Sequence, residues 1–334
     1  MTIFHLSFPI CNLSSLFLDV SELFCNFAVF KLKTMAKAKP FIKWVGGKGQ
    51  LIEQLEALLP ADFAERENVT YIEPFVGGGA MLFYMLQAYP NIKSAIINDI
   101  NPDLMQCYRV VRDTPSELIK SLDAIQKEYH VLQTEEDRKS FFLQQRDRFN
   151  TKSLNPIENS TLFFFLNRTC FNGLYRVNKA GKFNVPFGKY VTPTICDAST
   201  IYADSKLLQK VEILTGDFEQ TFSKIKGNTF FYFDPPYRPL SNTSSFKDYS
   251  KEDFNDNAQI RLKLFCDRLN EAGVDFMLSN SDCLSKDGKD RFFDDLFIDY
   301  RIERVWASRN VNAIASKRGK LTELLVRNYN FIDL

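Results

Sequence analysis

The tetrapeptide Asp234-Pro235-Pro236-Tyr237 comes directly after an aromatic run, Thr229-Phe230-Phe231-Tyr232-Phe233. Such a run reads as a buried strand, and a strand carries the next residues to the carboxyl edge of a sheet, where α/β sites form. The two prolines fix the backbone and remove N–H donors. The Asp234 carboxylate and the Pro235 carbonyl then make a rigid pair of acceptors. An aromatic amino group such as that of adenine offers two N–H donors to such a pair, which can draw its nitrogen toward a tetrahedral, nucleophilic geometry. Tyr237 adds a face on which a flipped base can stack. Positioning and electrostatics are the main requirements of that chemistry, and it needs no metal.

A second constellation, Glu73-Pro74-Phe75-Val76-Gly77-Gly78-Gly79, also succeeds a strand and opens a helix. Gly77 and Gly79 let a cofactor come close to the backbone. A dinucleotide fold wants a third glycine where this chain has Leu82, so a pyrophosphate site is disfavoured. Asp99 ends the next strand, placed to accept hydrogen bonds from ribose hydroxyls. The pair points to a nucleoside-containing cofactor, although the turn alone would equally serve a structural bend. In Lys43-Trp44-Val45-Gly46-Gly47-Lys48 the last lysine precedes Gly49 instead of Ser or Thr, which excludes a phosphate-binding loop. Trp44 beside that turn suits core packing as well as a site. The segment 167–190 gathers Asn172, Leu174, Arg176, Asn178, Lys182, Pro186, Lys189 and Tyr190. Arginine reads guanine, asparagine reads adenine and apolar groups touch the thymine methyl. An ordinary loop with buried phenylalanines has a similar composition.

The elements that must position these residues alternate. A helical pattern over 51–59, closed by Pro60, comes first; strands are then expected at 69–73 and 94–98, with a second helix between them and a third capped by Asn101 with Pro102 at its first position. Residues 115–168 are mostly helical and residues 169–195 loop-rich. The β/α pattern resumes with strands at 211–214, 229–233 and 274–279, a helix over 257–272 stopped by Gly273, and a closing antiparallel hairpin of 300–306 with 322–328. The expected fold is a doubly wound, Rossmann-like α/β sheet with an inserted, mainly helical module. The sheet domain spans 35–112 and 209–334, the module 113–208.

A net charge of only +1 does not announce a nucleic-acid binder. Its distribution is more telling: residues 146–190 hold eight Lys/Arg against two Asp/Glu, and residues 301–320 six against one. Two basic segments can make a phosphate-facing groove or simply two solvated faces. Seven scattered cysteines without a Cys-x-x-Cys pair give neither a disulfide framework nor a zinc site, and a reducing, cytoplasmic home is expected. With only His5 and His130, no histidine-based metal site is expected. Residues 1–34 have no sustained period, Asp19 and Glu22 interrupt any membrane-length span, and Met35 looks like a true start, so this tail is expected to be dispensable.

These constellations, in this order, resemble the Dam family of DNA adenine methyltransferases, most closely the GATC-specific modification methylases of the DpnII type. The likeness runs from about Pro40 to Tyr329. It includes Asn98-Asp99-Ile100-Asn101, Leu278-Ser279-Asn280-Ser281, Arg318-Gly319-Lys320 before Glu323, and especially residues 234–244. Residues 1–34 have no counterpart. The resemblance implies S-adenosylmethionine as methyl donor, whose sulfonium methyl is already activated. It places cofactor contacts on Trp44, Lys48, Asp99 and Asp234, with Glu73 and Phe75 lining the pocket. The catalytic tetrad would be Asp234, Pro235, Pro236 and Tyr237. Lys43, Asn172, Leu174, Arg176, Pro186 and Tyr190 fall on positions that contact double-stranded DNA in relatives. No membrane is implied, and a restriction endonuclease sharing the site is left open as a partner. Methylases of cytosine more often carry Ser-Pro-Pro-Tyr, and those of glutamine amides or RNA often carry Asn-Pro-Pro-Tyr, so Asp234 favours adenine. A DNA-binding module with a dead cofactor site is the non-enzymatic alternative, against which Trp44, Lys48, Asp99 and Asp234 all argue.

Overall fold

The computed structural model describes residues 36–238, 254–284, 288–308 and 320–329. The tail 1–34, Met35, the end of the 234–244 stretch, and Arg309, Lys317, Arg318 and Gly319 lie outside the described residues. The sheet and its helices belong to the unit Ala38–Leu334.

Seven strands form one sheet in the order β3-β2-β1-β4-β5-β7-β6. They are β1 (Val69–Glu73), β2 (Ile92–Ile97), β3 (Val211–Ile213), β4 (Thr229–Phe233), β5 (Asp275–Ser281), β6 (Arg301–Ser308) and β7 (Lys320–Arg327). The first five are parallel, whereas β7 runs antiparallel to both β5 and β6. This is the expected methyltransferase-type sheet, closed by the expected hairpin. The strand order reverses between β1 and β4, so the loops after these two neighbours flank the topological switch point, where α/β sheets place ligands.

Every residue of β1 and β4 is buried, which a parallel sheet covered on both faces requires. Side chains alternate between the faces. Tyr71, Phe230, Tyr232 and Met277 join one core, while Ile72, Phe231, Phe233, Phe276 and Leu278 join the other. The first core takes in α1 (Ile52–Glu56), α2 (Ala80–Ala88), α3 (Pro102–Asp113), α4 (Pro115–His130), α5 (Glu135–Phe149), α6 (Pro156–Thr169) and α7 (Ala198–Leu208). The second packs under α8 (Asp256–Glu271) and the short α9 (Phe292–Leu296). Helix α3 starts as expected: Asn101 accepts from the N–H groups of Asp103 and Leu104, with Pro102 next in the chain. Helix α6 carries the run Leu162–Leu166 entirely buried, so the helices of the middle segment share one continuous core with the sheet. After it the chain is irregular, held by bridges Cys170 to Phe187 and Val177 to Phe183. Helix α7 was not expected from the sequence. Its buried face includes Thr200, Asp204 and Ser205, which blurs the apolar period. Among the described residues no helix is long and apolar enough to cross a membrane. The described cysteines are free.

Candidate active site

Both sequence-predicted turns meet at the carboxyl edge of the sheet. After β1, the Gly77 N–H donates to Asp99 Oδ2 at 3.2 Å, and the Asn101 N–H donates to Asp99 Oδ1 at 2.9 Å. Burial raises the Asp99 carboxyl above its ordinary range, and these backbone donors pull it back. Asn98, nearly fully buried, ties the edge together: its amide donates to the carbonyls of Pro74 and Gly216 and accepts from Gln220. Gly77 and Gly79 both have positive φ, and a Cβ on either would strike the chain's own side chains. It would lie 2.8 Å from Trp44 at Gly77 and 2.5 Å from the Tyr108 hydroxyl at Gly79. The close approach that these glycines allow is thus made, in part, by the protein itself.

Trp44 lies against this turn and stacks on Tyr175, with ring centroids 5.8 Å apart. It therefore bridges the β1 turn and the 167–190 segment. Phe75, half-buried, packs against Phe218 and Phe254. Glu73 is 3% exposed at the end of β1. Burial pushes its carboxyl up to about 8, against the hydrogen bond from Tyr71, and the charge of Asp234 pushes the same way.

The second turn carries the tetrad. Asp234 Oδ1 pairs with Lys48 Nζ at 2.8 Å. That lysine is 4% exposed, donates to the Gly46 carbonyl and sits 4.5 Å from the Tyr237 ring centroid. Its charge is thus directed at the Asp234 carboxylate. Burial raises the Asp234 carboxyl, with Lys48 drawing it back down and Glu323 adding to the rise. The Tyr237 hydroxyl donates to Glu323 Oε2 at 2.6 Å. Burial, together with the charges of Asp234 and Glu323, keeps that hydroxyl protonated well past its ordinary range.

Two buried amides hold the backbone of the turn. Gln259 of α8 donates to the Pro236 carbonyl and accepts from Asn280 of β5, and both are essentially unexposed. The Ser281 hydroxyl donates to the Arg238 carbonyl at 2.7 Å. Arg238 itself is clamped by Asp256 and Asp290. The sequence reading assigned no role to Gln259, Asn280 or Glu323. Gln259 could have been found: it shares a helix face with Leu262, Phe265, Cys266 and Leu269, and a buried amide on such a face needs polar partners.

The residues expected to meet DNA form a separate group. Lys43 exchanges backbone hydrogen bonds with the Asn167 side chain, and its Nζ lies 5.0 Å from the Tyr190 ring centroid. Asn172, exposed, takes φ 55°, and half-buried Leu174 lies two residues on. Arg176 is exposed and braced by Asn184: its Nε donates to Asn184 Oδ1 at 2.8 Å and its Nη2 to the Asn184 carbonyl at 3.3 Å. Asn178 uses its side-chain oxygen to close the turn over Ala180 and Lys182. Pro186 is exposed, and its carbonyl accepts from Phe171. Among the described residues no group of His, Cys, Asp or Glu is arranged to hold a metal ion.

The chain that builds this edge is similar to known proteins along most of its length. A family model described as D12 class N6 adenine-specific DNA methyltransferase matches residues 44–311. The chain is 47% identical over 296 residues to the type II methyltransferase M.MjaIII of Methanocaldococcus jannaschii, covering 88% of this chain and 100% of that one. It is 36% identical to the type II methyltransferase M1.LlaDCHI of Lactococcus lactis, covering 89% and 98%. It is 30% identical to the DNA adenine methylase of Escherichia coli K12, covering 87% and 95%. With the motif order, the sheet and the matched span in agreement, the chain belongs to the D12 class of N6 adenine-specific DNA methyltransferases.

Proposed function

We propose that this methyltransferase uses S-adenosylmethionine to methylate N6 of the adenine in GATC, in double-stranded DNA, after swinging the base out of the duplex. The observation that carries the reading is the built state of the tetrad. Gln259 engages the Pro236 carbonyl, which leaves the acceptor role to the Pro235 carbonyl beside Asp234. Lys48 covers one face of Tyr237, so a base stacks on the other. The donor set also suits the cofactor. Asp99 is fixed as an acceptor for ribose hydroxyls, and Ile100, 74% exposed next to it, offers an apolar surface for a nucleobase. Phe75 and Glu73 line the same edge.

When bound, the cofactor supplies a methyl group on positively charged sulfur, ready for transfer. Asp234 and the Pro235 carbonyl accept the two hydrogens of the adenine amino group and hold its nitrogen in line. As the N–C bond forms, the nitrogen becomes more acidic, and Asp234 with its raised pKa is suited to take the proton it sheds. Tyr237 fixes the ring plane during transfer.

Residues 113–208 form the target-recognition module in this reading, with Lys43, Asn172, Leu174, Arg176, Asn178, Pro186 and Tyr190 on the DNA. The choice of GATC rests on the likeness of residues 167–190 and 234–244 to GATC-specific enzymes. The names of two relatives as type II methyltransferases favour a restriction endonuclease of the same specificity as partner, and a cytoplasmic location goes with DNA as substrate. The test is to expose unmethylated plasmid to the purified protein and S-adenosylmethionine, then sequence with modified-base detection. N6-methyladenine at GATC alone supports the proposal. Another motif would overturn the specificity, and methylcytosine would overturn the chemistry.

A further inference from the structure

Strand β7 runs against β5, so its first residues lie beside the carboxyl ends of β4 and β5, and Glu323 sits opposite Ser281 in the ladder. The antiparallel turn of the sheet thus brings a carboxylate to the tetrad from 86 positions away. The Glu323 side chain is 21% exposed. Its Oε2 lies 2.6 Å from the Tyr237 hydroxyl and 3.8 Å from Lys48 Nζ, whereas Lys48 has Asp234 nearer, at 2.8 Å. Tyr237 is therefore held at both ends: its hydroxyl by a charge-assisted hydrogen bond, its ring by the ammonium over one face. Without the first restraint the ring loses its hold from Glu323 at the hydroxyl end.

We propose that Glu323 is a positioning residue for methyl transfer: it holds Tyr237 by the hydroxyl so that the ring waits at the angle at which an extruded adenine stacks. This rests on reading residues 234–237 as the catalytic tetrad. The competing role for Glu323 is to balance the charge of Lys48, and the two roles part on substitution. An amide keeps a hydrogen-bond acceptor for Tyr237 but removes the charge. Tyr237→Phe keeps the stacking face but removes the donor.

The experiment is single-turnover methylation of a GATC duplex by the full-length enzyme. It is paired with fluorescence of the same duplex carrying 2-aminopurine in place of the target adenine, bound with S-adenosylhomocysteine. Glu323→Ala and Tyr237→Phe should each slow transfer about tenfold, the loss expected of one hydrogen bond to a charged group. Both should change the 2-aminopurine signal in the same direction, with little change in S-adenosylhomocysteine affinity. The double variant should be no slower than the worse single one. Glu323→Gln should stay within roughly threefold of the parent rate. If Glu323→Ala does not fold, Glu323→Gln placed on Tyr237→Phe should cost nothing further.

Glu323→Gln as slow as Glu323→Ala would overturn the proposal in favour of charge balance. Losses that multiply in the double variant, or a loss confined to cofactor affinity, would overturn it too. Failure of the tetrad reading is separate: it shows as turnover retained in Asp234→Ala, whatever Glu323 does.

Discussion

The tetrad and the tip of the 167–190 segment, around Arg176 and Asn178, are built in opposite ways. Around Asp234 the partners are Lys48, Gln259, Asn280 and Glu323, drawn from four distant stretches and mostly buried. Around Arg176 the brace is Asn184, eight residues on, and the turn at Asn178 closes on Ala180 and Lys182. Long-range contacts can form only when the whole sheet is folded, so the geometry of this edge is set by the fold as a whole. The tip around Arg176, Asn178 and Lys182 is stitched locally and is more open to water, which in the proposed reading lets side chains adjust to a duplex, while the segment's base is anchored by Asn167 on Lys43 and Tyr175 on Trp44. Reaction demands fixed geometry, whereas reading demands surface and some give. The two meet at Trp44, which touches Gly77 on one side and stacks on Tyr175 on the other.

The contrast breaks first at Asp234. If the edge acts only on chemistry, Asp234→Ala should lower single-turnover methylation by about 10²–10³-fold or more, the usual cost of removing one preorganised electrostatic group. Duplex affinity by fluorescence anisotropy should barely change if, as proposed, the phosphate contacts belong to the other region. A variant that methylates near normally would remove Asp234 from the mechanism. One that loses DNA binding would dissolve the division between the regions.

Glu73 tests how far the rigid edge is held at a cost in stability. Its carboxyl titrates near 8 in the fold and near its ordinary 4.5 when unfolded. Below the unfolded value both states hold the proton, and Glu73 adds no slope. Between the two values only the native state holds it, so stability falls as pH rises, by about 1.4 kcal/mol per unit from this group. Above the folded value the loss is complete. Glu73→Gln keeps an acceptor for Tyr71 and cannot ionise. Urea unfolding at several pH values from 5.5 to 8 should show the variant gaining on the parent as pH rises. Parallel curves would mean that Glu73 is already ionised in the fold.

The sequence made the first region legible in its centre and opaque at its margins. Asp234–Tyr237 is four consecutive residues after a five-residue apolar strand, so both its chemistry and its place on the sheet edge are local properties. So are Asn101-Pro102 as a helix start and the hairpin of β6 and β7. Where the Lys48 side chain points was not local, since the failed phosphate-loop spacing said only what the turn is not. Glu323 was visible as part of a familiar stretch, but its partner is fixed by sheet topology, which no spacing along the chain encodes. Helix α7 escaped because polar Asp204 and Ser205 occupy its buried face, although Asp197 at its cap was a usable signal.

A middling effect is expected at Arg176. Its guanidinium is held by Asn184 before any DNA arrives, which lowers the cost of ordering it on a base edge. A bidentate guanine contact is worth about 1–3 kcal/mol of discrimination. Arg176→Ala should therefore depress methylation of GATC while leaving single-mismatch duplexes little changed. Asn184→Ala should move in the same direction by less. Equal losses on every duplex would make Arg176 a backbone contact and shift base reading to Asn172 or Leu174.

The smallest effect separates two lysines of the open region. Lys182 is exposed and carries no ion pair among the described residues. Lys189 is also exposed but pairs with Glu135 at 2.8 Å. A pair this open is screened by water and held weakly, so Lys189 can trade it for a phosphate, yet it must give something up. Lys182 gives up nothing. Glutamine is the replacement to use at both positions, since it removes the charge while keeping most of the side-chain length and the backbone conformation, with Lys189 at a φ of 63°. Lys182→Gln should weaken binding to all duplexes about equally and reduce the log–log salt slope by about 0.9, one phosphate's worth. Lys189→Gln should weaken binding less, and Glu135→Gln should tighten it by freeing Lys189. Affinity measured over a salt series decides the matter. If Lys189→Gln proves the costlier change while Glu135→Gln does nothing, the ion pair orients Lys189 rather than competing for it. Part of the open region would then be prearranged in the manner of the tetrad, and the contrast between the two regions would narrow at that point.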